Sequence, residues 1–110
     1  YTLVMFWASW CHKCEQEIPE LVNLYPNFSN KGFEAIGVSL DQARQTWTGV
    51  ISQRGMQYPN VSQLQGWDSP IVKQYKITAT PTYFLLNSQG EIVLKPERIF
   101  QVRDFLSKNL

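Results

Sequence analysis

The sequence predicts an α/β fold in a single domain over residues 1–110: a central mixed sheet of about four strands, in the chain order β-α-β-α-α-β-β-α, flanked by helices. Three observations carry this. Apolar runs of strand length alternate with longer stretches of 3.6-residue periodicity, the pattern of parallel strands joined by helical crossovers. The last two strand-like segments are separated only by Asn87-Ser88-Gln89-Gly90, which is hairpin spacing and makes the sheet mixed. A chain of 110 residues with 44% hydrophobic content can build one core and is too short for two ordinary domains.

The elements follow in order. Thr2 to Trp7 is β-branched, aliphatic and aromatic, as in a strand buried on both faces. From Cys11 the period changes. Cys14, Ile18, Leu21, Val22, Tyr25 and Phe28 fall on one helical face, with Glu15, Gln16, Glu20 and Asn23 elsewhere. Pro19 lies in that face and predicts a kink, because it removes a backbone donor. Gly32 reads as the stop of this helix. Residues 33–41, "FEAIGVSLD", form a second buried strand, and residues 42–54 a helix closed by Gly55. Residues 56–70 contain too many turn formers for a regular element. Ser69 and Pro70 supply an N-cap and a first-turn proline to a short helix over residues 71–77. Residues 82–87 form the third strand and residues 91–95 the antiparallel fourth. The closing segment is an amphipathic helix with Ile99, Val102, Phe105 and Leu106 on one side.

Charge and hydropathy narrow the function classes. Ten Lys and Arg against nine Asp and Glu leave a net charge of +1, and no basic cluster stands out, which argues against nucleic acid or an anionic membrane as partner. The longest apolar runs, residues 3–8 and 83–86, are strand-sized, so no membrane insertion by this segment is expected. The chain starts on Tyr1 inside an apolar segment, without Met. It is therefore expected to be a fragment of a longer chain that could carry a leader or tether.

The chemistry is concentrated in "WCHKCEQEIP", where both cysteines of the chain stand three positions apart. Haem attachment requires His directly after the second cysteine, and the order here is C-H-K-C-E. Structural zinc requires four Cys or His ligands, and Cys11, Cys14 and the single histidine, His12, make three at most, so no metal is expected. A buried inert pair is the plain alternative. The position of the pair, between a strand and a helix start, favours a redox couple, Cys11–Cys14. At the helix start Cys11 meets unpaired backbone N–H groups and the positive end of the helix dipole, both of which favour its thiolate. His12 and Lys13 add positive charge, stabilising the reduced form and making the disulfide more oxidising. Cys14, one turn on and facing inward, is placed to resolve a mixed disulfide formed by Cys11.

Together with the strand "GFEAIGVSLD" and the late "ITATPTYFLLNSQGEIV", this stretch resembles the thioredoxin superfamily over essentially the whole chain, and its TlpA/ResA-like branch of bacterial extracytoplasmic thiol–disulfide oxidoreductases most closely. The resemblance implies a thioredoxin fold that lacks the family's N-terminal hairpin. It implies Cys11 as nucleophile, Cys14 as resolving thiol, and Pro81 as a cis-proline that brings the Thr80 backbone close enough to pair with a bound peptide strand. Without the resemblance, an ordinary strand-start proline is an equal reading of Pro81. Where many cytoplasmic relatives carry a buried Asp, this chain has Met5. Glu17, in "EIP", fits the Glu that the TlpA/ResA-like branch often carries three residues after the second cysteine. There a partly buried carboxylate would take a proton from Cys14. Glu15, four residues after Cys11, competes for that role, and a solvated helix-surface charge is the bland reading of both. The family's dipeptide often ends in Pro, whereas here it ends in Lys13, so the redox potential does not transfer.

Of the aromatics, Trp7 is expected in the core and Trp10 over the disulfide as part of the docking surface, while Trp67 reads either as a loop plug or as a second contact. The triplets starting at Asn27 and Asn60 match a glycosylation pattern that is common by chance. The expected activity is reduction of protein disulfides, without a bound cofactor, by a monomer recycled by an upstream thiol reductant. Its expected place is the bacterial periplasm or extracytoplasmic face. A peroxidase would want Thr or Ser where Ala8 stands. A copper or zinc carrier would want a distant His. A redox-inactive binding module would not need the intact Cys11, Cys14 and Thr80-Pro81-Thr82.

Overall fold

The apolar hexapeptide at the start becomes the middle of the molecule. In the computed structural model, which describes residues 1–110, β1 (Thr2–Trp7) has a neighbour on each side in a five-stranded sheet. β2 (Glu34–Ser39) pairs parallel with β1, and β3 (Asn60–Ser62) parallel with β2. On the other side β4 (Thr82–Leu86) runs antiparallel to β1, and β5 (Ile92–Leu94) antiparallel to β4. The strand order is β3-β2-β1-β4-β5. Helix α1 (His12–Phe28) connects β1 to β2 and α2 (Arg44–Arg54) connects β2 to β3, as parallel pairing requires. The short α3 (Pro70–Gln74) precedes β4, and α4 (Ile99–Asn109) ends the chain beside α1.

The fifth strand corrects the expectation of about four. β3 lies within the segment read as irregular, and its three residues pair on one side only. Val61 is half exposed there, so the strand carries no apolar signature, and Pro59 immediately before it reads as a loop signal. Three smaller corrections follow. Helix α1 does not end at Pro19, in keeping with the expectation of a kink rather than a stop. Pro19 is exposed, however, and lies off the buried stripe, which is Cys14, Glu17, Ile18, Leu21 and Leu24. Ser69 stands at the N-cap of α3, but its hydroxyl donates 2.7 Å to the Gly66 carbonyl and caps nothing. α3 stops at Gln74, short of the expected residue 77, and Lys76 takes a positive φ of 55°. The other boundaries shift by one to three residues.

The core is built from the face of the sheet that carries α1 and α4. Leu3, Met5, Trp7, Ala35 and Leu85 are wholly buried, and α4 adds Ile99, Val102 and Leu106. By strand alternation Val4, Phe6 and Phe84 point the other way, where Tyr75 stacks edge-on against Phe6 and Phe84. No helix is long and apolar enough to cross a membrane.

One close approach fixes the β1–β2–β3 side. The Trp7 indole donates 3.0 Å to Asn60 Oδ1 across the sheet, and the Asn60 amide donates 3.2 Å to the Tyr58 carbonyl. This crossing is open because Gly37 stands below it: a Cβ there would run into Asn60 Oδ1 and lie 2.8 Å from Trp7 Nε1. Gly37→Ala is therefore expected to destabilise the domain by about 1–3 kcal/mol, as overpacking of a filled core does. Denaturant unfolding followed by tryptophan fluorescence measures it; an unchanged midpoint would show that the crossing relaxes freely.

Candidate active site

The cysteine pair and the Thr80–Pro81 bond lie toward one end of the sheet. β1 and β2 run toward it, and antiparallel β4 starts from it, with Phe6 opposite Thr82. In open α/β sheets this carboxyl end is where functional groups are displayed. Leaving β1, the chain turns through residues 8–10, and the Cys11 N–H donates 3.2 Å to the Ala8 carbonyl. Cys11 then becomes the N-cap of the 17-residue α1, with extended φ and ψ of −91° and 115°. Its sulfur takes the place usually held by a Ser or Asp oxygen, accepting the Cys14 N–H at 3.2 Å. The two sulfurs are joined as a disulfide, with Cα atoms 5.2 Å apart. Cys14 is wholly buried, while Cys11 keeps 6% of its surface open, so only the first sulfur presents itself to a partner.

The turn before Cys11 is held by a residue that the sequence reading passed over. Asp41, two residues past β2, is 2% exposed. Its carboxylate accepts the Ser9 N–H at 3.1 and 3.2 Å, the Ser9 hydroxyl, and the Ser39 hydroxyl at 2.5 Å. The Asp41 N–H donates back to Ser39 Oγ at 2.8 Å. An acid at the carboxyl end of a parallel strand, one strand over from the cysteines, was the available signal.

Glu17 is buried as well, 4% exposed. One oxygen accepts the Ile99 N–H at 2.8 Å and lies 3.5 Å from the Tyr83 hydroxyl; the other accepts Arg98 Nε at 3.2 Å. The solvated-charge reading fails for Glu17, whereas Glu15 is exposed and makes no hydrogen bond through its side chain. Burial, followed by the neighbouring Glu17 charge, pushes the Tyr83 hydroxyl well above the ordinary tyrosine range, so it stays a donor.

Beside α1 lies a groove of about 540 Å³, lined by Lys13, Glu17, Thr80, Pro81, Lys95 and Arg98 among others. The Thr80–Pro81 peptide bond is cis. The Thr80 main-chain N–H and C=O make no hydrogen bond within the domain. Trp10 and Trp67 lie outside the groove, 54% and 44% exposed with ring centroids 6.2 Å apart. Trp67 thus joins Trp10 in one exposed aromatic pair. His12 is exposed and lines no part of the groove.

Asp41→Asn would place an amide donor against the Ser9 N–H. The expected loss is about 1–3 kcal/mol in denaturant unfolding, the cost of leaving buried donors unmatched. Ser9→Ala, which keeps the backbone bond, should lose less. Equal losses would mean that the backbone contact carries nothing.

The chain is similar to known proteins along most of its length. A thioredoxin-like family model matches residues 1–92. The thiol-disulfide oxidoreductase ResA of Bacillus thuringiensis subsp. konkukian (strain 97-27) is 30% identical over 106 residues, covering 94% of this chain and 60% of that protein. The sporulation thiol-disulfide oxidoreductase A of Bacillus subtilis (strain 168) is 32% identical over 94 residues, 83% of this chain and 55% of that protein. Among solved structures, a thiol-disulfide oxidoreductase from Bacteroides fragilis NCTC 9343 superposes with a TM-score of 0.91 at 32% identity, covering 100% of this chain and 81% of that one. The chain spans about half to three-fifths of the length of these curated relatives. Residues 1–92 include β1 to β4, the cysteine pair and the Thr80–Pro81 bond, and on that match the chain belongs to the thioredoxin-like family.

Proposed function

We propose that the domain is a thiol–disulfide oxidoreductase that reduces protein disulfides on the extracytoplasmic face of a bacterium. The observation that carries this is the asymmetry of the cysteine pair: Cys11 caps a helix and is the outer sulfur, and Cys14 is sealed beneath it. Unpaired N–H groups and the helix dipole favour a thiolate at Cys11 once the pair is reduced. That thiolate attacks one sulfur of a target disulfide, forming a mixed disulfide and releasing the other target sulfur as a thiolate. Cys14, having given up its proton, attacks Cys11 Sγ. The mixed bond breaks, the second target thiol leaves, and two electrons have passed to the target, leaving the Cys11–Cys14 disulfide. An upstream thiol reductant returns the pair to the dithiol, and no bound cofactor enters.

Around that chemistry, Glu17 accepts the Cys14 proton, a role supported by its burial three residues along the same helix. Trp10, His12, Lys13, Thr80 and Pro81 form the docking surface. The unpaired Thr80 backbone supports pairing with an extended target segment, as in strand addition. The similarity to ResA, and Glu17 in the "EIP" context, support the extracytoplasmic placement.

Two experiments test this. Equilibration with glutathione or dithiothreitol, read by tryptophan fluorescence, should give a reversible two-electron midpoint, and Cys14→Ser should trap a mixed disulfide on Cys11. Stoichiometric zinc or copper binding by the reduced protein, with no exchange, would sink the proposal. Glu17→Gln should move the pH profile of exchange while the domain stays folded by circular dichroism. An unchanged profile removes Glu17 from proton transfer and leaves it a packing role.

A further inference from the structure

We infer that the groove beside the cysteine pair selects target segments that carry a carboxylate side chain near the reactive cysteine, held by Lys13 and Lys95. The inference rests on the reductase reading above. The groove sets the charged side chains of Lys13, Lys95 and Arg98 among apolar lining from Pro81, Tyr83 and Phe84, so charge can tell one occupant from another. Its charges divide clearly. Arg98 is engaged by Glu17, whose oxygens also take the Ile99 N–H and face the Tyr83 hydroxyl. The ion pairs of the domain are Lys73–Asp68, Arg98–Glu17 and Arg103–Glu20. Lys13, from the first turn of α1, and Lys95, just after β5, therefore face the groove without a carboxylate partner, against the single unpaired acid Glu97.

Two unpaired ammonium groups on one concave surface raise the local concentration of anionic groups and speed their encounter. Lys13 stands in the first turn of the helix that Cys11 caps, so an anion drawn there is held at the end of the sheet that carries the outer sulfur. A polypeptide is the occupant, and not a free small anion, because the same groove contains Thr80 with its main-chain N–H and C=O unpaired.

The test uses the reduced 110-residue chain and two synthetic peptides, each with one internal disulfide, that differ only in Glu or Lys beside the first cysteine. Second-order reduction rates are read by stopped-flow tryptophan fluorescence, with uncharged 2-hydroxyethyl disulfide run in parallel. At low ionic strength the Glu peptide is expected to react about fivefold faster, the scale of one exposed ion pair. The ratio should fall toward one near 1 M salt. Lys95→Glu should abolish or invert it, and Lys95→Arg should preserve it. Equal rates for the two peptides at low salt, or a preference untouched by Lys95→Glu, overturns the inference while turnover of 2-hydroxyethyl disulfide leaves the reductase reading standing. No turnover of 2-hydroxyethyl disulfide overturns both.

Discussion

A carboxylate placed inside a protein costs several kcal/mol unless donors surround it, and Glu17 is such a group at the centre of this domain. Three groups from two elements supply its partners: the first N–H of α4, the side chain of its N-cap Arg98, and Tyr83 from β4. Helix α4 begins with N–H groups that have no intrahelical acceptor. Glu17 takes the N–H of Ile99, and the Gln101 side chain takes those of Glu97 and Arg98. The negative charge also sits at the positive end of the α4 dipole, where it is stabilised. One side chain of the cysteine helix therefore both caps the C-terminal helix and fixes it against the sheet. Without it, α4 would lose its registration to α1, and the groove wall made by residues 95–98 would lose its anchor.

Asp41 does the corresponding work on the other side of the cysteines. It is also buried and also surrounded by donors, and it ties the end of β2 to the turn that delivers Cys11 to its helix. The two acids divide the labour. Asp41 fixes the approach to the first cysteine, and Glu17 fixes the helix that carries the second. Burial of both is tolerable because their lone pairs are met by backbone N–H, hydroxyl and guanidinium groups, which makes charged hydrogen bonds in a low dielectric strong. The cysteine pair is thus clamped from two sides, which suits a reaction whose second step requires Cys14 to reach Cys11 within one helical turn.

Much of this was legible in the residues. The apolar run of β1, the helix opening on Cys11, the left-handed Gly55 after α2 and the Asn87–Gly90 turn are local signals that tertiary structure left intact. What failed was decided at long range. β3 is an edge strand of three residues whose hydrogen bonds come only from β2, so its own sequence had no need to be apolar. Ser69 is a local exception: its hydroxyl donates to the Gly66 carbonyl three residues back, in the turn of residues 66–68 that the sequence does not mark. The environment of Glu17 depends on residues about eighty positions away, and a periodicity argument cannot see an acid turning inward to meet them. Asp41 closes an apolar strand segment, and only the parallel pairing of β1 with β2 brings it against Ser9.

This division bears on where specificity resides. Thiol–disulfide exchange involves two sulfurs in the domain and two in the target, and its rate constants depend on thiol acidity and access with no reference to target sequence. Cys14 is sealed, and Cys11 offers only a small opening, so the chemistry itself reads almost nothing of a partner. In the proposed reading, recognition falls to what surrounds that opening: an exposed pair of indoles on Trp10 and Trp67, and a groove with an unpaired backbone edge at Thr80. Tryptophan gives contact area at small entropic cost, while rim charges govern encounter more than final affinity. On the proposed reading, the rim charges set how fast a target arrives and the indoles set how long it stays. The chemistry then needs only that the partner leave once its disulfide has been opened.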